Sequence, residues 1–156
     1  MKDWLKKTIL KPIQQQLKQG ISAEKLAWTI ALGSVIAVFP ILGTTTYLCI
    51  AVALFCKLNQ VIIQVVNYAL YPLQLLCIPL WIRLGEFLLG GAPASVAWSN
   101  MKDKLLTDSY NFLLQFWHLI IQALVGWLIV APIFAFVVYK VLLLIFKLRR
   151  ATRADA

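Results

Sequence analysis

The feature that most limits this chain is an interruption. Between Leu26 and Cys56 a long apolar run is cut by Phe39-Pro40-Ile41-Leu42-Gly43-Thr44-Thr45-Thr46, which holds a helix breaker, a flexible glycine and three hydroxyls. Proline lacks an N–H and its ring clashes with the preceding turn, so a helix does not run through it. The two arms, Leu26–Phe39 and Tyr47–Cys56, hold 14 residues or fewer each, about 20 Å of helix. A bilayer core of ~30 Å needs about 20 residues per crossing. Two full crossings do not fit. The unit is either one broken crossing or a re-entrant hairpin that enters and leaves on one side.

Lipid enters the argument because 62% of the 156 residues are hydrophobic and the mean hydropathy is +0.82. A soluble domain uses roughly 45–50% apolar residues and cannot hide more at this length. The fold class expected is all-α: a polytopic helical membrane protein with a broken or re-entrant hairpin. The formal charge of +9 sits mainly at the two ends. Those basic residues flank apolar segments, so anionic lipid headgroups are the expected partner and nucleic acid is not.

In chain order, residues 1–19 read as an amphipathic interfacial helix. Leu5, Ile9, Ile13 and Leu17 form its apolar stripe, Lys2, Lys6, Lys7, Lys11 and Lys18 the rest, and Pro12 interrupts it. Residues 20–90 form the membrane core module. Ser22 and Glu24 fit an N-cap and first-turn acid. Ala27/Ala31 and Gly33/Ala37 are small-xxx-small pairs that admit a neighbouring backbone. Gln60–Ile82 is the next apolar segment. Its polar residues Gln60, Gln64, Asn67, Tyr71 and Gln74 are spaced 4, 3, 4 and 3, which puts them on one helical face. Amides in hydrocarbon are costly unless satisfied, so that face should meet protein or water. Pro72 and Pro79 interrupt the segment, with Pro72 a counterpart of Pro40. Arg83 and Glu86 follow at a spacing that allows a pair.

Residues 91–111 read as a polar loop, 112–148 as a long C-terminal transmembrane helix that Gly126 and Pro132 would bend, and 149–156 as a basic tail. Within that helix Leu119–Tyr139 is long enough to span, and Lys140 would mark its edge by snorkelling. Both chain ends are basic and therefore expected on the cytoplasmic side, which requires an even number of crossings. A re-entrant Leu26–Cys56 with crossings at Gln60–Ile82 and Leu119–Tyr139 meets this. A full first crossing would give three spans and leave the tail outside.

Several of these residues resemble one bacterial membrane family. They are Gly20-Ile21-Ser22, Ala31-Leu32-Gly33, Phe39-Pro40, Gly43-Thr44-Thr45, Leu58-Asn59, Asn67 with Tyr71-Pro72-Leu73-Gln74-Leu75, and Arg83-Leu84-Gly85-Glu86. The family is the one catalogued as domain of unknown function 2062. The resemblance covers about Gly20 to Gly90, and the last third is similar only in being hydrophobic. It implies a small integral membrane module in a bacterial inner membrane. Relatives joined to glycosyltransferases of the lipid-linked-sugar type imply a connection to envelope lipids or glycans. No catalytic residues carry over.

The candidate substrate-binding residues are Gly43, Thr44, Thr45, Thr46, Gln64, Asn67, Tyr71, Gln74, Arg83 and Glu86. Gly43 lets the chain turn, and Thr44 or Thr45 would cap the following helix. Its first N–H groups carry partial positive charge, the kind of helix end that holds anions in broken membrane helices. The amide face would line the same cavity and Arg83 would supply fixed charge. The expectation is binding or translocation of an anionic, lipid-linked envelope substrate. The alternatives are a non-catalytic accessory for an envelope enzyme, docking through the small-residue face, and a homo-oligomeric channel.

No enzyme activity is expected: there are no paired carboxylates, Ser-His-Asp set, phosphate-binding loop or glycine fingerprint. No metal or cofactor is expected either. Cys49, Cys56 and Cys77 lie in apolar runs without a Cys-x-x-Cys pair and read as free thiols. His118 reads as a helix-contact residue, and the six tryptophans as interfacial anchors or packing.

Overall fold

A computed structural model describes residues 22–90 and 109–154. The expected interfacial helix at residues 1–19 and most of the polar loop lie outside them. All regular structure among the described residues is helical: α1 (Ala23–Ala37), α2 (Thr45–Phe55), α3 (Gln60–Ala69), α4 (Tyr71–Leu89) and α5 (Ser109–Ala154).

Local chemistry sets most boundaries. Ser22 caps α1, its side chain accepting from the Lys25 N–H at 3.2 Å, with Glu24 in the first turn. Pro40 forbids continuation, and Gly43 turns the chain at φ +82°. At the end of α2, Lys57 takes a left-handed φ of 51°. The Leu58 N–H then reaches back to Ala53 O at 2.8 Å and the Lys57 N–H to Leu54 O at 3.3 Å. These two bonds satisfy closing carbonyls of the helix. Asn59 caps α3 by accepting from the Ile62 N–H at 3.0 Å.

Gln60–Ile82 is not one helix. It breaks at Leu70, which closes α3 and opens α4, with Pro72 in the first turn of α4. A proline there would clash with the carbonyl four residues back if α3 continued, whereas a helix start has no such carbonyl. The apolar helix therefore starts later than the sequence pattern indicates. α5 is continuous through Gly126 and Pro132 and runs on into the basic tail, past the expected end at 148.

α1 and α4 lie one after the other along α5, both antiparallel to it. Trp28 stacks on Tyr139, Val35 packs with Ala131 and Ala135, and Phe39 meets Trp127. Farther on, α4 closes on α5 through two glycines. A Cβ at Gly85 would collide with the Gln122 carbonyl, and one at Gly126 with the Trp81 carbonyl. Gly126 serves this approach. α3 covers the other side of α1: Gly33 lies against Ile63 and Val66, and Leu26 clusters with Ile62 and Val66. α2 packs chiefly on α3, with Cys49 and Ala53 joining Ile36 and Ile63.

Two helices are long and apolar enough to cross a membrane, at Tyr71–Leu89 and Phe116–Leu148. The core helix of a soluble protein would meet the same length and composition test. Here, however, only 17% and 11% of the respective apolar windows are buried. Their apolar surface faces outward.

Candidate functional site at the helix break

The last carbonyls of a helix have no partner within it, and in an apolar setting they must find donors elsewhere. At the end of α1 two of them do, and the carbonyl of Phe39, just past the cap, finds a third donor. The Trp127 indole donates to Val35 O at 3.1 Å, the Trp81 indole to Val38 O at 2.8 Å, and the Gln74 amide to Phe39 O at 2.7 Å. The donors come from α4 and α5. Trp127 also meets Phe39 edge to face at 4.9 Å between centroids. Gln74 is fully buried, and its own carbonyl oxygen has no partner.

The start of α2 is different. Thr44 occupies the N-cap position with helical φ and ψ, and its side chain makes no capping bond. The hydroxyl donates backwards to Ile41 O at 2.9 Å. The expected threonine cap is thus absent, because a helical N-cap backbone turns the side chain away from the N–H groups it would serve. Thr45 is buried. Thr46 is half-buried and tied to α3: its carbonyl accepts from Gln64 Nε2 at 3.1 Å, and its hydroxyl lies 3.4 Å from the Tyr68 hydroxyl. Asn67, buried, donates to Gln64 Oε1 at 3.5 Å.

The structure therefore gathers Thr46, Gln64 and Asn67 beside the opening turn of α2, with Thr44 and Thr45 in that turn and Gly43 exposed just before it. It separates the rest. The break at Leu70 divides the polar stripe. Gln60 has a buried carbonyl oxygen without a partner, Tyr71 is exposed, and Gln74 serves the end of α1. Arg83, exposed, and Glu86, half-buried, stand past Trp81 on the stretch of α4 that meets α5 around Gln122. His118, expected at a helix contact, is exposed.

Trp81, Trp127 and Tyr68 were not among the expected site residues. One signal was available for the two tryptophans: an indole N–H inside an apolar segment needs an acceptor. Helix ends supply acceptors in numbers, so the interruption at Pro40 was the place to look. The chemical result is a polarised break. The negative end of α1 and the carbonyl just past it are met by three N–H donors, whereas the start of α2 carries no side-chain cap among the described residues.

A family model described as "uncharacterized protein conserved in bacteria (DUF2062)" fits residues 3–155. The match extends beyond the motifs at 20–90 into the C-terminal third. No curated protein and no solved structure matches the chain.

Proposed function

The chain belongs to this bacterial family, and from that premise we propose that it is an inner-membrane protein that binds or translocates an anionic, lipid-linked substrate of the cell envelope. The observation that carries the reading is the asymmetry of the break. The end of α1 is closed by Trp127, Trp81 and Gln74, and the start of α2 carries no side-chain cap. Unpaired N–H groups at a helix start favour an anion. The Thr46 and Tyr68 hydroxyls and the Gln64 amide lie close enough to add polar contacts.

The topology that fits has two crossings, α4 and α5. Helices of 15, 11 and 10 residues, α1 to α3, are each too short for a core of ~30 Å. Residues 22–69 then form an embedded unit that does not cross, broader than a hairpin of residues 26–56. Leu26 near the first described residue and Phe146 near the last share one cluster. Two crossings and a shared end suit both termini on the cytoplasmic side, as their basic charge favours.

Thr44→Asp tests the site. A carboxylate at Thr44 would place negative charge beside the start of α2, where it repels an anion and suits the helix dipole without having to cap the N–H groups. The purified protein in mild detergent should bind a polyprenyl phosphate, and the variant should bind at least about tenfold more weakly with an equal or higher Tm. Equal binding by both proteins would remove the site. One of the two motives for the accessory reading, the small-residue face of α1, is weakened because those residues are used internally: Gly33 faces α3, and Ala27 and Ala31 are buried.

A further inference from the structure

Trp81 and Trp127 give their indole N–H groups to carbonyls of the chain. Trp28 does not; it is partly exposed and stacks flat on Tyr139, centroids 4.3 Å apart at 18°. Residues before it on α1, Ser22, Glu24 and Lys25, are exposed and polar. Trp117, exposed, stands 22 residues before Tyr139 on α5, about 33 Å of helix at 1.5 Å per residue. That separation is close to the ~30 Å hydrocarbon thickness, and tryptophan and tyrosine concentrate at its two boundaries. α4 lies alongside this interval, with Trp81 level with Gly126 and Gly85 level with Gln122.

Lys140 stands at the Tyr139 boundary. Within Phe116–Leu148 the only Lys, Arg, Asp or Glu residues are Lys140 and, next to the end, Lys147. The Lys140 ammonium lies 5.2 Å from the centroid of the Phe136 ring, one turn back toward the apolar interval, and pairs with no carboxylate among the described residues. A lysine at a boundary ordinarily extends toward water. Lys140 is exposed, and its lean over the ring leaves the ammonium N–H groups available to an anion at that boundary. Arg83 and Glu86 lie near the other boundary, level with the region of Gln122, and supply none.

We propose that Lys140, Trp28 and Tyr139 form a seat for the phosphate of an anionic phospholipid, at the membrane boundary on the side of the two chain ends. The ammonium provides the charge, and the indole N–H and phenol O–H provide two further donors. This rests on the membrane reading but not on the site at α2. The negative surface of that leaflet supplies the ligand.

The test uses the full chain in nanodiscs of phosphatidylcholine with and without phosphatidylglycerol, read by lipid retention in native mass spectrometry. The wild type should keep one phosphatidylglycerol. Lys140→Gln should lower that retention at least about tenfold, and Trp28→Phe, which keeps the stack and removes the N–H, about threefold. Lys147→Gln should change nothing. Equal retention by wild type and Lys140→Gln would overturn the seat, as would an equal loss in Lys147→Gln, which would signal general charge. Displacement by millimolar inorganic phosphate would overturn the lipid as its source. Failure of the protein to remain with the disc would overturn the membrane reading itself, leaving polyprenyl phosphate binding in detergent as a separate result.

Discussion

At the first interruption, residues 38–44 separate α1 from α2, and the carbonyls α1 leaves behind are met by side chains 35 to 92 positions away. At the second, Leu70 alone separates α3 from α4. Its N–H bonds to Val66 O at 3.1 Å, and its carbonyl accepts from Leu73 and Gln74 at 2.9 and 3.1 Å. Both interruptions involve a proline, yet they are closed by different means. The second is closed by its own backbone within one turn. The first holds only if α4 and α5 are in place, so it couples the short helices to the long ones. A proline in an apolar run thus marks a break without revealing how it is satisfied.

Moving α4 should disturb the first break most. Gly85→Ala would drive a methyl into the Gln122 backbone and push α4, with Trp81 and Gln74, off its seat. A loss of about 3 kcal/mol is expected, seen as a lower Tm in detergent. Faster hydrogen exchange should accompany it at the end of α1. A variant that melts like the wild type would mean that α4 does not hold that end.

Single donors come next. Trp81→Phe keeps most of the ring volume but leaves Val38 O unpaired, at about 1–3 kcal/mol. Gln74→Leu removes the bond to Phe39 O together with a buried carbonyl oxygen that has no partner, so its net cost should be about 1 kcal/mol or less. Denaturation of the two variants side by side would sharpen the account of the three-donor cap; a reversed order would contradict it.

The smallest effect belongs to the second break. Pro72 is exposed, and at a helix start its missing N–H has no intrahelical partner to lose. Pro72→Ala should shift stability by about 0.5 kcal/mol or less. A cost equal to that of Trp81→Phe would erase the distinction between a break closed locally and one closed at long range.

Much of this was legible from residue order. Ser22 before α1, Asn59 before α3, Pro40 and Gly43 between α1 and α2, and the outward apolar character of α5 follow from rules that act within one or two turns. The polar stripe from Gln60 to Gln74 was misleading because helical spacing carries meaning only while the helix lasts, and it ends at Leu70. The threonines misled in a similar way: a hydroxyl near a helix start caps it only from an extended backbone, and Thr44 is already helical.

The sequence by itself determined the chain's apolar character, its two helix interruptions and the basic character of its ends, since composition, prolines and charge act locally or in bulk. Only the tertiary structure decided which carbonyls each indole and amide would serve, and which glycines would let α4 meet α5. It also decided that α1's small residues would be spent inside the module. These pairings join positions far apart in the chain, and a donor and an acceptor carry no mark of each other until packing brings them within 3 Å.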